Sequence, residues 1–176
     1  CTVDLSAFYF DIRKDCLYCD PKNSKKRNFV LILLNIILNS LLKWFAPILS
    51  FTTEEIFQLV VKNNKSIHLE KFLEYPKKFQ NFELNEKWFN LLKIRDACNL
   101  SIEEKRSNKE IGSSLEAEIE IGLNEKLYEI SKNIDFSELC ITSKSIIKRI
   151  DNDEIIVKSK KADGKKCSIC WKISTK

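Results

Sequence analysis

Chain breakers are scarce here. Three prolines (Pro21, Pro47, Pro76) and three glycines (Gly112, Gly122, Gly164) are all that interrupt 176 residues. Glycine supplies positive φ angles and proline fixed corners, so their scarcity disfavours a turn-dense all-β fold and excludes collagen-like or linker-dominated architectures. At 44% hydrophobic residues the chain can still bury a core. The expectation is a mainly helical fold.

Val3 to Tyr18 mixes apolar and charged residues without a breaker and reads as a helix, which Asp20-Pro21 ends because the residue before proline avoids helical geometry. A second helix runs from a Ser24 cap to Ala46, where Pro47 stops it. Its apolar run, Phe29 to Ile48, approaches a bilayer span in length but contains Asn35, Asn39, Ser40 and Lys43. The simpler reading is the central helix of a bundle, with Asn28, Asn35, Asn39 and Lys43 along a narrow polar stripe and no membrane partner. In SFTTEE, Ser50 to Glu55, Thr52 and Glu55 have the spacing of a capping box for a third helix, Glu54 to about Lys62. Residues 63–82 lack a sustained period, contain Pro76 and mark a boundary. From Glu83 to about Ser107, Leu84, Trp88, Leu91, Leu92, Ile94, Ala97, Cys98 and Ile102 recur at helical steps.

The period then falls to two. In SLEAEIEI, Ser114 to Ile121, Leu115, Ala117, Ile119 and Ile121 take one side and Glu116, Glu118 and Glu120 the other. This predicts a strand whose glutamates lie in solvent. A short helix, Glu125 to Ile134, and strands over Glu138 to Thr142 and Glu154 to Ser159 make the second half α+β.

Charge is informative by position. Lys158 to Lys176 holds seven lysines and one aspartate, net +6 against +5 for the whole chain, so the remaining residues carry −1. A clustered basic segment on a near-neutral body suits a phosphate-binding surface; a solvated tail is the plainer alternative. Cys167-Ser168-Ile169-Cys170 is a Cys-x-x-Cys knuckle, whose spacing lets two thiolates meet one tetrahedral Zn²⁺, and it is half of a site. A redox dithiol and no role at all stay open beside it. Lys161, Lys165 and Lys166 precede the second cysteine, and Trp171 and Lys172 follow it. Lysines give charge to a phosphate backbone and an aromatic face gives an unpaired base a platform, unless Trp171 packs locally instead. There is no phosphate-binding loop, dinucleotide fingerprint or nucleophile elbow, and His68 is the sole histidine, so no catalytic residue is assigned. Seven cysteines, an odd number, in a chain of this length fit a reducing cytosol better than a disulfide scaffold.

Four collinear segments resemble the C-terminal region of isoleucyl-tRNA synthetase, a class I aminoacyl-tRNA synthetase. DLSAFYFDIRKDCLYCD, Asp4 to Asp20, is similar to its anticodon-domain helix, and APILSFTTEEIF, Ala46 to Phe57, to the bundle turn shared with valyl and leucyl relatives. IGSSLEAEIEI, Ile111 to Ile121, resembles the isoleucyl junction, and KCSICW, Lys166 to Trp171, the first half of the C-terminal zinc knuckle. The resemblance implies a mainly α fold: an anticodon-binding helical bundle over residues 1–67, a connector over 68–82, a long helix with an α+β junction domain over 83–160, and a basic segment with half a zinc knuckle over 161–176. With no Met and Cys1 at its start, the chain reads as a fragment, whose catalytic and editing domains would lie upstream in the same polypeptide. Implied partners are tRNA(Ile) and those domains. Implied cofactors are Zn²⁺ at Cys167 and Cys170 and, through upstream domains, ATP. A cytoplasmic monomer is expected. Two features depart from the family: Ile169 stands where it often has Arg, and the second Cys pair is missing; Cys16 also occupies a place where the family commonly carries Arg, which argues against it as a ligand. The alternatives are a valyl or leucyl relative, or a non-catalytic RNA-binding module with a knuckle.

Overall fold

The computed structural model describes residues 1–61 and 65–175. Lys62, where the third predicted helix ends, Asn63 and Asn64 in the boundary segment, and Lys176 in the basic tail lie outside the described residues. The chain forms two compact units, one of Cys16–Gln80 and the other of Cys1–Asp15 together with Asn81–Lys176.

In the Cys16–Gln80 unit, helices α2 (Lys25–Phe45) and α3 (Ser50–Val61) follow a short α1 (Asp11–Tyr18), whose last residues belong here. The Ser24 hydroxyl accepts from the Arg27 N–H at 3.3 Å and caps α2, as its residue type predicts. The expected Thr52–Glu55 capping box does not form, because α3 already starts at Ser50 and Thr52 lies inside it. Glu54 takes up a different task. Its carboxylate accepts from Gln58 Nε2 at 2.9 Å, the Ile67 N–H at 2.8 Å and Ser66 Oγ at 3.0 Å, fixing the turn at Ile67–Leu69. The Gln58 bond and then the Ile67 N–H hold this carboxyl below the usual carboxylate range. Leu42, Ala46, Phe57 and Ile67 make the small core. Along α2, read from the sequence as the central helix of a bundle, only Val30, Ser40 and Leu42 are buried, and Phe29, Ile32, Leu33 and Ile36 are exposed. By length and composition alone α2 would suffice to cross a membrane.

The other unit begins with a π-helical stretch, Thr2–Phe10, leading into α1. The sequence division joins residues 1–15 to the bundle, but their apolar contacts run to the later segment. Ile12 enters the core of α4 (Phe82–Ser107), Phe8 meets Trp88 edge to face at 6.5 Å, and Arg13 Nη1 donates to Glu138 at 2.7 Å. Along α4 the buried residues are Leu91, Ile94, Cys98 and Ile102, the stripe its period predicts. They pack with Ala117, Ile119, Ile121 and Leu123 of β1 (Ala117–Leu123), all fully buried.

The sheet has the order β2-β1-β3, with β2 (Lys144–Arg149) parallel and β3 (Ile156–Lys161) antiparallel to β1. Parallel neighbours need a crossover, supplied here by α5 (Glu125–Ser131) and α6 (Phe136–Leu139). The strand expected over Glu138 to Thr142 is therefore corrected to a helical turn. Asp135 Oδ1 accepts from the Ser137 N–H at 2.9 Å and its hydroxyl at 2.6 Å, a cap that starts α6, and the strand begins only at Lys144. The solvated glutamate row is corrected too. Glu118 is only 8% exposed, because β1 is the central strand and lysines of both neighbours close over it.

Candidate nucleic-acid interface

Two short strands, β4 (Lys165–Lys166) and β5 (Ile173–Ser174), form an antiparallel hairpin that presents Cys167 to Lys172 at its tip. Gly164 enters it at φ 130°, where an added Cβ would run into the Ser174 carbonyl group; glycine is the residue this close approach allows. At the tip, the Cys167 N–H donates to the Lys172 carbonyl at 2.8 Å, and the Trp171 N–H returns to the Cys167 carbonyl at 3.1 Å. Trp171 takes a left-handed φ of 63° to close this turn.

The turn aims backbone N–H groups at one sulfur. The Ile169 N–H lies 3.5 Å from Cys167 Sγ, and the Cys170 and Ile169 N–H groups, with the Cys170 side chain, lower the Cys167 thiol pKa. Hydrogen bonds of this kind favour the thiolate, the form that ligates metal. Among the described residues no group of three or more His, Cys, Asp or Glu comes together. Cys167 and Cys170 are therefore two thiols on one tight turn, with the Cys167 sulfur biased toward its thiolate form.

The hairpin gathers most of the sequence-predicted RNA contacts. Trp171 is 59% exposed, which leaves its ring open for stacking rather than packed as local core. Lys166 Nζ lies 5.5 Å from the centre of that ring and 3.9 Å from Glu116. Lys165 is exposed on β4, and Lys161 is exposed at the end of β3, paired in register with Ala117. Lys172 is more committed: its ammonium lies 3.1 Å from Asp15. The hairpin is tied to the sheet by the Ile173 N–H, which donates to Ser143 Oγ at 2.6 Å. Sequence reasoning passed over Ser143 and Lys144, which the structure places beside this hairpin with Lys160, one of the lysines that lead into the knuckle. Their only signal was the register of β2 with β1, hidden by the misplaced strand.

This is a mainly helical chain that carries a lysine-rich hairpin with an exposed tryptophan, and the comparisons give its family. Residues 1–121 match the anticodon-binding domain of tRNA ligase, and the chain belongs to that family. The similar proteins are isoleucine-tRNA ligases: that of Pelagibacter ubique (strain HTCC1062) is 65% identical over 174 residues, covering 99% of this chain and 19% of the relative. That of Bartonella henselae is 39% identical over 181 residues, with 97% and 19% covered, and that of Agrobacterium fabrum 38% over 185 residues, with 98% and 19% covered. The chain thus spans about a fifth of the length of these relatives. The isoleucyl resemblance read from DLSAFYFDIRKD and GSSLEA is the one the comparisons support.

Proposed function

We propose that this chain is the anticodon-binding part of an isoleucine-tRNA ligase, holding the anticodon stem and loop of tRNA(Ile) while other domains of the same polypeptide activate isoleucine with ATP and transfer it to the distant acceptor end. The observation that carries the reading is the match across nearly the whole chain to isoleucine-tRNA ligases, within the anticodon-binding family. The exposed Trp171 ring and the lysines around it are the chemistry such a role requires.

In this reading Trp171 stacks on an unpaired base of the loop, while Lys161, Lys165 and Lys166 meet backbone phosphates and Lys172 supports the turn through Asp15. Cys167 and Cys170 would hold a structural Zn²⁺ as two of its ligands. Bound there, the metal would lock the knuckle and with it the direction of the Trp171 ring. These residues perform no bond-making step; they position RNA. The protein would act in the cytoplasm as a monomer.

The test is binding to tRNA(Ile) and to a non-cognate tRNA across a salt series. The expected result is a cognate preference that persists at raised salt, because base contacts do not depend on counterion release. Trp171→Ala should weaken binding by about 1 to 3 kcal/mol, the worth of one base stack, with the fold intact. Equal, salt-abolished binding of both tRNAs would overturn the anticodon reading.

A further inference from the structure

On the outer face of the sheet the register sets glutamates between lysines. Glu118 of β1 lies opposite Lys144 of β2 and Lys160 of β3, and both ammonium groups stand 3.5 Å from the same oxygen, Glu118 Oε1. One step along, Glu120 lies opposite Lys158 and accepts from Lys148 at 2.9 Å. Four lysines thus face two glutamates. Around Glu118 itself, two lysines share one carboxylate.

That pair borders a cleft of about 420 Å³ between the sheet and the hairpin, lined also by Ser143, Asp163 and Lys172. Each ammonium carries three donors. At 3.5 Å from Glu118, neither is drawn into the short contact of about 2.7–2.9 Å typical of a tight ion pair. The Lys144 and Lys160 side chains keep 59% and 63% of their surface exposed, while the carboxylate beneath them is nearly covered. Glu118 is therefore an internal anion that both ammonium groups share and with which an incoming anion must compete. A phosphodiester carries one negative charge and two free oxygens, the complement of this arrangement. The same cleft reaches Lys172, next to the exposed Trp171, through the Ile173 to Ser143 hydrogen bond.

We propose that the cleft over Glu118 is a phosphate-binding site, in which Lys144 and Lys160 together hold one backbone phosphodiester of the RNA whose loop meets Trp171. This rests on the RNA-binding reading above but does not depend on which tRNA is preferred.

Three variants of the full chain test it, each titrated with tRNA(Ile) and a non-cognate tRNA across a salt series. Glu118→Gln removes the internal competitor at constant shape. It should tighten binding of both tRNAs equally and steepen the slope of log affinity against log salt by up to about 0.9, the increment for one further phosphate. Lys144→Gln with Lys160→Gln should weaken both tRNAs equally and flatten the slope by about the same amount. Because that double variant leaves a buried carboxylate without partners, it is paired with the triple variant that also carries Glu118→Gln and has no buried charge. The triple variant should show the same flattened slope. Slopes and affinities equal to wild type in both Glu118→Gln and the triple variant would overturn the proposal. Lysine acetylation separates the sources of phosphate: tRNA should protect Lys144 and Lys160, and protection by inorganic phosphate without protection by tRNA would also overturn it. Loss of cognate preference in wild type, with these slopes as expected, would instead sink the anticodon reading and leave the phosphate site standing.

Discussion

Replacing Gly164 by Ala separates the hairpin from the core that supports it. At φ 130° the backbone of Gly164 occupies a region essentially reserved for glycine, and a methyl group would meet the Ser174 carbonyl group and, at 2.8 Å, the Thr175 nitrogen. Those are backbone atoms, so no side-chain rotation relieves the contact; β5 must move away from β4. Little resists that movement. The pairing consists of Lys165 with Ser174 and Lys166 with Ile173, helped by the Ile173 to Ser143 bond and the Cys167 to Lys172 bond. Each such bond contributes roughly 0.5–1.5 kcal/mol, and forcing a non-glycine residue into this conformation costs about 1–3 kcal/mol. The two are comparable, so the expected outcome is local opening, with a shift of roughly 5- to 150-fold in the hairpin's opening equilibrium constant. The core of α4, β1 and α6 is made by other residues and should melt unchanged. Amide hydrogen exchange across residues 165–174, beside a thermal melt followed by circular dichroism, reads both effects. Faster exchange there with an unaltered melt is expected, together with a loss of tRNA affinity no larger than that shift. Unchanged exchange would refute the steric argument, and a melt falling in step with the exchange would refute the claim that the hairpin opens independently.

Two further outcomes follow from the core and the knuckle. Phe136 is fully buried among residues of α4 and β1, so Phe136→Ala should lower stability by about 3–5 kcal/mol, seen as a reduced urea midpoint at constant slope; a loss below about 1 kcal/mol would show that the site collapses around the gap. The Cys167 thiol pKa is lowered by the Cys170 and Ile169 N–H groups, so iodoacetamide should alkylate it at a lower pH in the folded chain than in urea, as read by mass spectrometry. Because the folded value is the depressed one, the associated stability is present above the unfolded thiol's pKa and is lost as pH falls through the folded value. Identical folded and unfolded profiles would refute this reading.

What the sequence made legible was set by how far each signal reaches. The α4 stripe of Leu91, Ile94, Cys98 and Ile102 and the apolar side of β1 are local periodicities, and both describe the buried surface. The Ser24 cap and the Cys167 knuckle are also local, needing only neighbours within a few residues. The failures came from competing caps close by and from partners far along the chain. Thr52 and Glu55 have capping-box spacing, but the helix starts before them, and Glu54 is drawn to Ser66 and Ile67 instead. Leu139 and Cys140 have strand-like character, yet one Asp135 cap turns that stretch into helix. The glutamates of β1 alternate as an exposed edge would, and nothing in SLEAEIEI says that β1 is central and flanked by lysines on both sides.

That last correction changes where the positive charge of the molecule resides. Counting along the chain assigns the basic surplus to residues from Lys158 onward, as though it were a separable tail. In the fold, Lys158, Lys160 and Lys161 are β3, an integral strand of the sheet; Lys160 is already engaged with Glu118 of β1, and Lys166 with Glu116 just before that strand. Lys144 and Lys148, from outside the tail, complete the same face from β2. Electrostatics and folding are therefore coupled through β1. Removing the segment from Lys158 would take away a strand and half the compensation of a nearly buried carboxylate, and so would damage the sheet as well as RNA affinity. Neutralising lysines singly on the outer face leaves the strands paired. Strand pairing would hold the lysines of the proposed phosphate-binding surface in register where a frayed tail would not, while the glutamates between them dilute its charge.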